Sequence, residues 1–344
     1  PVSALLSPIS AGYGLAAEIR GFAYRRGWLA QQRLARPVIS VGNLSTGGTG
    51  KTPLVEYLAR LIIRQGLTPA ILTRGYGRRD ERSLLVIEPA ASRSTNPREA
   101  GDEPALLAQS LPQIPIVISA DRFKAGRLAE RRFSVGVHLL DDGFQHLRLE
   151  RDLDIVALDV TQELSDRQVL PAGRLRERCS ALRRADIIVL TRTDLADPAQ
   201  TLARLAQLQA NARVFHSKTR LTGFAEIATG RVLPPGALVG RRICAFCGVG
   251  NPSAFFLSLR RWQLNPVSER AFQDHHLYTG KELASLLQSA RAANASALVT
   301  TGKDAMNIPA AWKSKLNAFS CAIEMEISEA DVFERAVMET LTGP

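Results

Sequence analysis

Residues 45–52, Ser-Thr-Gly-Gly-Thr-Gly-Lys-Thr, have the composition of a phosphate-binding loop. They follow an apolar run at Pro37–Val41 and precede a helical pattern that begins at Lys51. Glycines in such a loop let backbone N–H groups converge on phosphate oxygens, and the helix N-terminus adds positive potential. One position departs from the usual spacing, because Ser45 stands where the first glycine is expected. A chance Gly-rich turn is the alternative, and the flanking strand and helix disfavour it.

This loop predicts a site for a nucleoside triphosphate with Mg²⁺. The lysine of such a motif reaches the β- and γ-phosphates, and the hydroxyl that follows it holds Mg²⁺. In the nucleotide-free protein we expect the lysine to be exposed. The predicted nucleotide contacts are Thr46, Gly47, Gly48, Thr49, Gly50, Lys51 and Thr52.

Two further clusters place carboxylates where a metal-assisted phosphoryl transfer needs them. Asp141 and Asp142 end the apolar run Val137–Leu140, where nucleotide hydrolases carry a second metal-site carboxylate. A solvated loop start is the alternative, and the phosphate loop disfavours it. Asp102 and Glu103 begin a helical pattern, where acidic residues also occur simply as caps. For this second cluster the residue types alone leave both interpretations open.

Histidine and cysteine pairs lie in the C-terminal part of the chain. His275 and His276 follow Asp274; zinc binding would need more ligands, whereas an acid–base or orienting role needs one imidazole beside a carboxylate. A surface histidine pair is the alternative. Cys244 and Cys247 have redox spacing, but they lie in an apolar run, so we expect them in the core.

The overall charge favours an anionic partner. Lysine and arginine number 44 against 33 acidic residues, a formal net charge of +11. Nucleic acid, an anionic membrane surface and a phosphorylated substrate all fit this excess. Aromatic residues make up only 6% of the chain, which is weak support for a base-stacking surface. The four cysteines are too few for a disulfide scaffold.

Short apolar runs that alternate with helical patterns predict a parallel sheet with crossover helices around these clusters. The predicted class is α/β: a P-loop NTPase-type parallel sheet with flanking helices, a smaller C-terminal α/β domain and an N-terminal amphipathic helix. The predicted division is 1–36 for the N-terminal segment, 37–221 for the P-loop domain, 222–241 for a linker and 242–344 for the C-terminal domain.

The N-terminal segment has an apolar stripe followed by basic residues. Leu15, Ile19 and Phe22 recur at helical spacing, and Arg25 and Arg26 come next. A basic amphipathic helix can lie in a membrane interface. An ordinary helix packed on the domain is the alternative, and the sequence does not decide between them.

The clusters occur together in an order that closely resembles the tetraacyldisaccharide 4′-kinase family, the lipid A 4′-kinases of Gram-negative bacteria. The resemblance extends from the N-terminal segment to about Asp304. It rests on residues 41–53, 73–77, 101–104, 141–146, 171–174 and 274–275. It implies ATP- and Mg²⁺-dependent phosphorylation of the 4′-hydroxyl of a tetraacylated disaccharide 1-phosphate to lipid IVA. It also implies a peripheral protein on the cytoplasmic face of the inner membrane, and we expect a monomer without a nucleic-acid partner.

The same resemblance implies roles for individual residues. Asp102 would be the base for the sugar hydroxyl, with His275 as its dyad partner and Lys51 as the charge clamp. Closure of the two domains would assemble the dyad. The metal candidates are Thr52, Glu103, Asp141 and Asp142, and the candidates for the anionic disaccharide are Arg74, Arg122, Gln145, His146 and Arg174.

Two rival functions remain at this point. Thr191–Asp194 resembles the base-reading element of GTPases, with Arg192 in place of lysine, and keeps a P-loop GTPase or metallochaperone-like regulator open. Thr301–Asp304 also follows a predicted strand. The tetraacyldisaccharide 4′-kinase family more often has Thr-Glu-Lys-Asp here, so Gly302 departs from its pattern. Nucleotide preference would separate a GTPase from a kinase. A nucleic-acid-binding ATPase has only the net charge in its favour.

Overall fold

The computed structural model describes residues 2–89, 95–164 and 169–342. The strands in these ranges are β1 (Val38–Gly42), β2 (Pro69–Thr73), β3 (Leu85–Ile87), β4 (Ile116–Ile118), β5 (Val137–Asp141), β6 (Leu153–Asp159), β7 (Ile187–Thr191), β8 (Arg213–Glu226), β9 (Val232–Leu233), β10 (Ile243–Cys247), β11 (Ser268–Ala271), β12 (Ala297–Thr301) and β13 (Ala318–Ile327). The helices are α1 (Val2–Arg25), α2 (Lys51–Arg64), α3 (Pro97–Ala100), α4 (Asp102–Ser110), α5 (Arg122–Arg132), α6 (Ala199–Gln207), α7 (Pro252–Arg261), α8 (Gly280–Ala292), α9 (Gly302–Met306), α10 (Ala310–Lys313) and α11 (Ala330–Thr342).

The first lobe is built on a mostly parallel sheet whose strand order is β7-β6-β1-β5-β2-β4-β3. Every residue of β1, β2, β5, β6 and β7 is buried. Parallel strands covered by helices on both faces require such continuous apolar runs. β1 lies between β5 and β6 and runs parallel to both, so their carboxyl ends meet at one edge, where ligands bind in open α/β sheets.

The second lobe carries the parallel strands β11-β10-β12-β13. β8 joins the two sheets, because its start pairs in parallel with β7 and the rest pairs antiparallel with β13. The segment 222–241, expected to be a linker, therefore contains the end of a 14-residue strand. The predicted α/β class with a mostly parallel sheet and flanking helices is confirmed, whereas the division into domains stays a prediction.

Helix α1 packs on the body through small residues. Ser10, Gly14 and Gly21 face inward, and the Ser10 hydroxyl accepts a hydrogen bond from the Ala172 N–H at 2.9 Å. A Cβ at Gly14 would lie 3.2 Å from Arg178 and Val169, so glycine permits this close approach. The large apolar residues of the helix consequently point away from the protein. They are Ile9, Tyr13, Leu15, Ile19 and Phe22.

Candidate active site

The phosphate loop lies between β1 and α2, as its sequence predicts. Gly47 and Gly50 have φ values of 124° and 87°, a region that L side chains with a Cβ rarely adopt. The Asn43 side chain donates to the Thr49 hydroxyl at 3.0 Å, and the Thr46 N–H donates to the Arg174 carbonyl at 2.8 Å. The loop is thus held by neighbours on both sides, and its residues 46–52 line the cleft where α2 begins.

Lys51 is buried rather than exposed, which corrects the expectation from the sequence. Its side chain is 9% exposed, and Nζ lies 3.2 Å from Asp142 Oδ1. Arg176 reaches the same carboxylate, with Nη1 at 2.8 and 2.7 Å from its two oxygens. Burial would raise the pKa of Asp142, but Lys51 and Arg176 hold it well below its usual value. Arg176 was not predicted as a site residue, although it belongs to the basic segment 171–178.

Asp141 ends β5 directly beside the phosphate-loop strand, in register with Val41. It is 2% exposed and accepts a hydrogen bond from the Thr73 hydroxyl at 3.0 Å. Burial, followed by the charges of Glu103 and Asp142, raises the pKa of Asp141 to about 7. A cation at this edge of the sheet would relieve the clustering of negative charge.

Asp102 and His275 come from different lobes and form a direct hydrogen bond. His275 Nδ1 lies 2.8 Å from Asp102 Oδ2. Burial opposes ionisation of Asp102, yet His275 and Lys303 leave the pKa of this carboxyl below its usual value. The same hydrogen bond raises the pKa of His275. The pair is formed in this structure, and the expectation that domain closure assembles it stays a prediction.

A second contact between the lobes lies next to this pair. Lys303 Nζ forms a short ion pair with Glu103 Oε1. Burial would lower the pKa of Lys303, but Glu103 and Asp102 raise it above its ordinary value. Burial likewise opposes the charge on Glu103, and Lys303 and Lys51 lower its pKa. Lys303 was missed as a site residue because the sequence does not show that α9 packs against α4.

His276 and the cysteines lie outside this arrangement. His276 Nε2 lies 3.1 Å from Glu282 on α8, away from Asp102. Cys244 and Cys247 are free and buried in β10. They belong to two different core clusters, because residues three apart on a strand point to opposite faces. Their expected place in the core is confirmed.

Four of the five predicted substrate residues, all but Arg174, line one cleft of about 1120 Å³ between the lobes. Arg122 is 5% exposed; its Nη1 donates to the Ala120 carbonyl at 3.1 Å, and its Nε has no hydrogen-bond partner. Burial and Arg74 lower the pKa of Arg122 to about 10, although Asp142 and Asp141 act in the opposite direction. Burial, reinforced by Arg122, lowers the pKa of His146 to about 4.

The remaining two candidates contact the phosphate loop or its approach. Gln145 lines the cleft, and its Nε2 donates to the Asn43 carbonyl at 2.9 Å. Arg174 does not face the other cleft arginines; its Nη2 donates to the carbonyls of Thr46 and Gly250, at 3.2 and 2.8 Å. Its predicted role in binding a disaccharide stays a prediction, since its observed contacts hold the phosphate loop against the second lobe.

The metal candidates fit a cation whose shell is completed by the nucleotide. In the described ranges, no three His, Cys, Asp or Glu side chains form a ready-made metal site. Thr52 and Asp142 line the cleft, and Asp141 lies near enough to Asp142 for their charges to interact. Mg²⁺ is usually held by one or two carboxylates with substrate phosphates and water, so this partial set suits it. Asp142 and Glu103 are both paired with cationic side chains, Asp142 with Lys51 and Arg176 and Glu103 with Lys303. Asp141 is the one of the three candidate carboxylates that forms no ion pair in the described ranges.

The element that suggested a GTPase is engaged in other contacts. The Thr191 hydroxyl donates to the Thr49 carbonyl at 3.0 Å, and Arg192 pairs with Asp159. Asp194, the residue that would read a base, is 12% exposed at its side chain and lies 3.5 Å from Arg261. The ion pair with Arg261 uses only Oδ2 of this carboxylate, and Oδ1 has no hydrogen-bond partner among the residues described.

Comparisons with known proteins agree with this geometry. A family model described as "Tetraacyldisaccharide-1-P 4'-kinase" matches residues 2–342. A relative from Geobacter metallireducens, named tetraacyldisaccharide 4′-kinase, is 40% identical over 340 residues, covering 99% of this chain and 98% of its own length. A relative of the same name from Geobacter sulfurreducens is 40% identical over 341 residues, with 99% and 94% covered. A crystal structure described as an "apo" form of LpxK from Aquifex aeolicus in complex with ATP matches with a TM-score of 0.79 and 31% identity, over 99% of this chain and 100% of that one.

Proposed function

The chain belongs to the tetraacyldisaccharide-1-P 4′-kinase family, and on that premise we propose how its cleft carries out the phosphorylation. Its activity is that of an ATP-dependent kinase in lipid A biosynthesis, and a GTPase or metallochaperone-like regulator is not favoured. The observation that carries the proposal is that the phosphate loop lines the same cleft as His275, which is hydrogen-bonded to Asp102.

The acceptor is the 4′-hydroxyl of the tetraacyldisaccharide 1-phosphate. Asp102 takes the hydroxyl proton as the oxygen attacks the γ-phosphorus, and ADP leaves with the electrons of the broken P–O bond. His275 holds the carboxylate in position and stabilises its charged form through their hydrogen bond. Such a reaction needs positioning and charge stabilisation more than covalent chemistry. Lys51 and the loop N–H groups provide both for the transferred phosphoryl group.

Mg²⁺ would be held by the Thr52 hydroxyl and the carboxylates of Asp141 and Asp142, and it would neutralise charge on the β- and γ-phosphates. Lys51 and Arg176 keep Asp142 ionised, as a cation ligand must be. Asp141 has no cationic side-chain partner among the described residues; the side chain that donates to it is the Thr73 hydroxyl.

The anionic part of the disaccharide is bound by the basic side of the cleft. The partnerless Nε of buried Arg122 supports this assignment, because leaving a charged donor unpaired in the interior is costly. Arg74 and His146 line the same wall. With a pKa of about 4, His146 is neutral at pH 7 and offers a hydrogen bond rather than a charge.

The α1 helix places this cleft at a lipid surface. Tyr13 and Arg20 of α1 line the cleft, and the same helix exposes the apolar residues Ile9, Leu15, Ile19 and Phe22, which could contact a lipid surface. No helix in the described part of the chain is long and apolar enough to cross a bilayer. The arrangement favours a peripheral position on the cytoplasmic face of the inner membrane, where the acylated substrate resides.

An assay of nucleotide-dependent transfer tests this function. The protein is incubated with Mg²⁺, the tetraacyldisaccharide 1-phosphate and either ATP or GTP, and the lipid product is separated by thin-layer chromatography. We expect one phosphate to be added to the lipid with ATP, and far less with GTP. Equal use of GTP, or nucleotide hydrolysis without lipid phosphorylation, would contradict the proposal.

A further inference from the structure

The turn that begins at Thr301 is a part of the second lobe that contacts helix α4 of the first lobe. Thr301 ends β12 and caps α9, where its hydroxyl accepts a hydrogen bond from the Asp304 N–H at 3.2 Å. A Cβ at Gly302 would lie 3.2 Å from Leu106 of α4. The turn therefore packs directly against the helix whose first two residues are Asp102 and Glu103.

Asp304 fixes this turn to the loop that carries His275. It is 1% exposed, and its Oδ1 accepts hydrogen bonds from the Gly248 N–H and the Tyr278 hydroxyl, both at 2.7 Å. The Gly248 carbonyl in turn accepts a hydrogen bond from the His275 N–H at 3.2 Å. The turn and the histidine are thus parts of one hydrogen-bonded unit.

Lys303 extends from this unit to the first lobe. Its side chain lines the cleft and is 21% exposed, and it pairs with the equally sheltered carboxylate of Glu103. Glu103 directly follows Asp102, and its N–H donates to Asp102 Oδ1 at 2.8 Å. A rigid ion pair at Glu103 therefore fixes the backbone that orients Asp102.

We propose that Lys303 is a positioning residue for phosphoryl transfer. Through its ion pair with Glu103 it sets the first turn of α4, and with it the Asp102 carboxylate, in register with His275 on the other lobe. The inference rests on the proposed function and adds a residue to it. In the competing role, Lys303 only holds the two lobes together. Lys303 variants would then lose stability and substrate affinity and would keep their turnover.

The test compares turnover with binding in Lys303→Met and Lys303→Arg. Lys303→Met should lower kcat about 100-fold, as a small misplacement of a reacting group does, while the KM values for ATP and disaccharide stay within about threefold. Lys303→Arg retains the charge and should recover most of the kcat. Lys218→Met is the control, because Lys218 forms an exposed ion pair with Glu326 on the β8–β13 ribbon, 2.9 Å apart.

The background variant Asp102→Ala separates positioning from tethering. With Asp102 absent there is no base to orient, so adding Lys303→Met should cost little further kcat. A full multiplicative loss, or a kcat within threefold of wild type for Lys303→Met alone, would overturn the proposal. If Lys303→Met does not fold, Lys303→Gln replaces it; failure of both to fold would show a tether and likewise overturn it. If the wild-type protein transfers no phosphate to the lipid, or if Asp102→Ala keeps full activity, the proposed function itself is contradicted.

Discussion

Lys51 is the residue whose charge most directly follows the transferred phosphoryl group. Lys51→Ala should lower kcat at least about 100-fold, the usual cost of removing a preorganised electrostatic group. The fold should survive although Lys51 is buried, because Arg176 still pairs with Asp142. Steady-state kinetics with a circular dichroism spectrum measure both outcomes. Near-normal turnover in the variant would exclude the assigned role of the phosphate loop.

The Asp102–His275 pair should stabilise the fold in a defined pH range. The hydrogen bond raises the pKa of His275 above its ordinary value of about 6.5. A raised pKa gives stability that is complete below the unfolded-state pKa and is lost as the pH rises through the folded-state pKa. His275→Ala should therefore cost more unfolding free energy at about pH 5.5 than at about pH 9.

Urea unfolding of wild type and variant at both pH values measures this difference. His276→Ala is the matched control for loss of a neighbouring imidazole. A cost that is the same at the two pH values, or larger at the alkaline one, would mean that the imidazole is not charged beside Asp102.

For individual site residues, the sequence predicts the residue types better than it predicts which other residues they contact. The glycines and Lys51 follow from the motif, but the burial of Lys51 does not, because Asp142 and Arg176 reach it from distant parts of the chain. Asp102 and His275 are 173 positions apart, and their pairing was suggested only by a family resemblance. Lys303 was noticed only as part of Thr301–Asp304, and its pairing with Glu103 could not be predicted, since that partner lies 200 positions away.

Helix α1 has its apolar side outward because its small residues occupy the inward side. Ile19 and Phe22 are 58% and 40% exposed, so substituting them should not disturb the core. In Ile19→Glu/Phe22→Glu, binding to anionic vesicles should fall at least about tenfold, since burying a large apolar side chain contributes roughly 1.5–3 kcal/mol. Vesicle sedimentation measures binding, and ATP affinity should be unchanged.

Val232→Glu is the matched control for this helix, because Val232 is also exposed, at 64%, but lies on β9 in the ribbon region. Salt should release wild type only in part, since it screens the arginines but not apolar burial. If the α1 variant sediments like wild type, the helix is structural and the membrane contact lies elsewhere.

Elements buried on both faces were predicted well, and elements shared between lobes were not. The apolar runs at 37–41 and 137–140 match β1 and β5 to within one residue, because a continuous apolar run is a local signal. The long strand β8 was taken in part for a linker. Its polar and apolar residues alternate with Gly223 among them, and its pairing with β13 depends on a partner about 100 residues away.

At the scale of the whole molecule, the reaction centre exists only where the two lobes meet. The first lobe contributes the phosphate loop and Asp102, and the second contributes His275. The ribbon of β8 and β13 connects the lobes, so the base and its partner are held by a continuous sheet. The losses of kcat caused by substituting Asp102 and His275 should consequently be coupled and not simply multiply.

The measurement that tests this account most directly is a double-mutant cycle on kcat at saturating ATP and disaccharide. Asp102→Ala and His275→Ala should each lower kcat at least about 100-fold, and the double variant should lie within about threefold of the worse single variant. His276→Ala should remain near wild type. Multiplicative losses in the double variant would contradict the account, because they would mean that the two residues act separately.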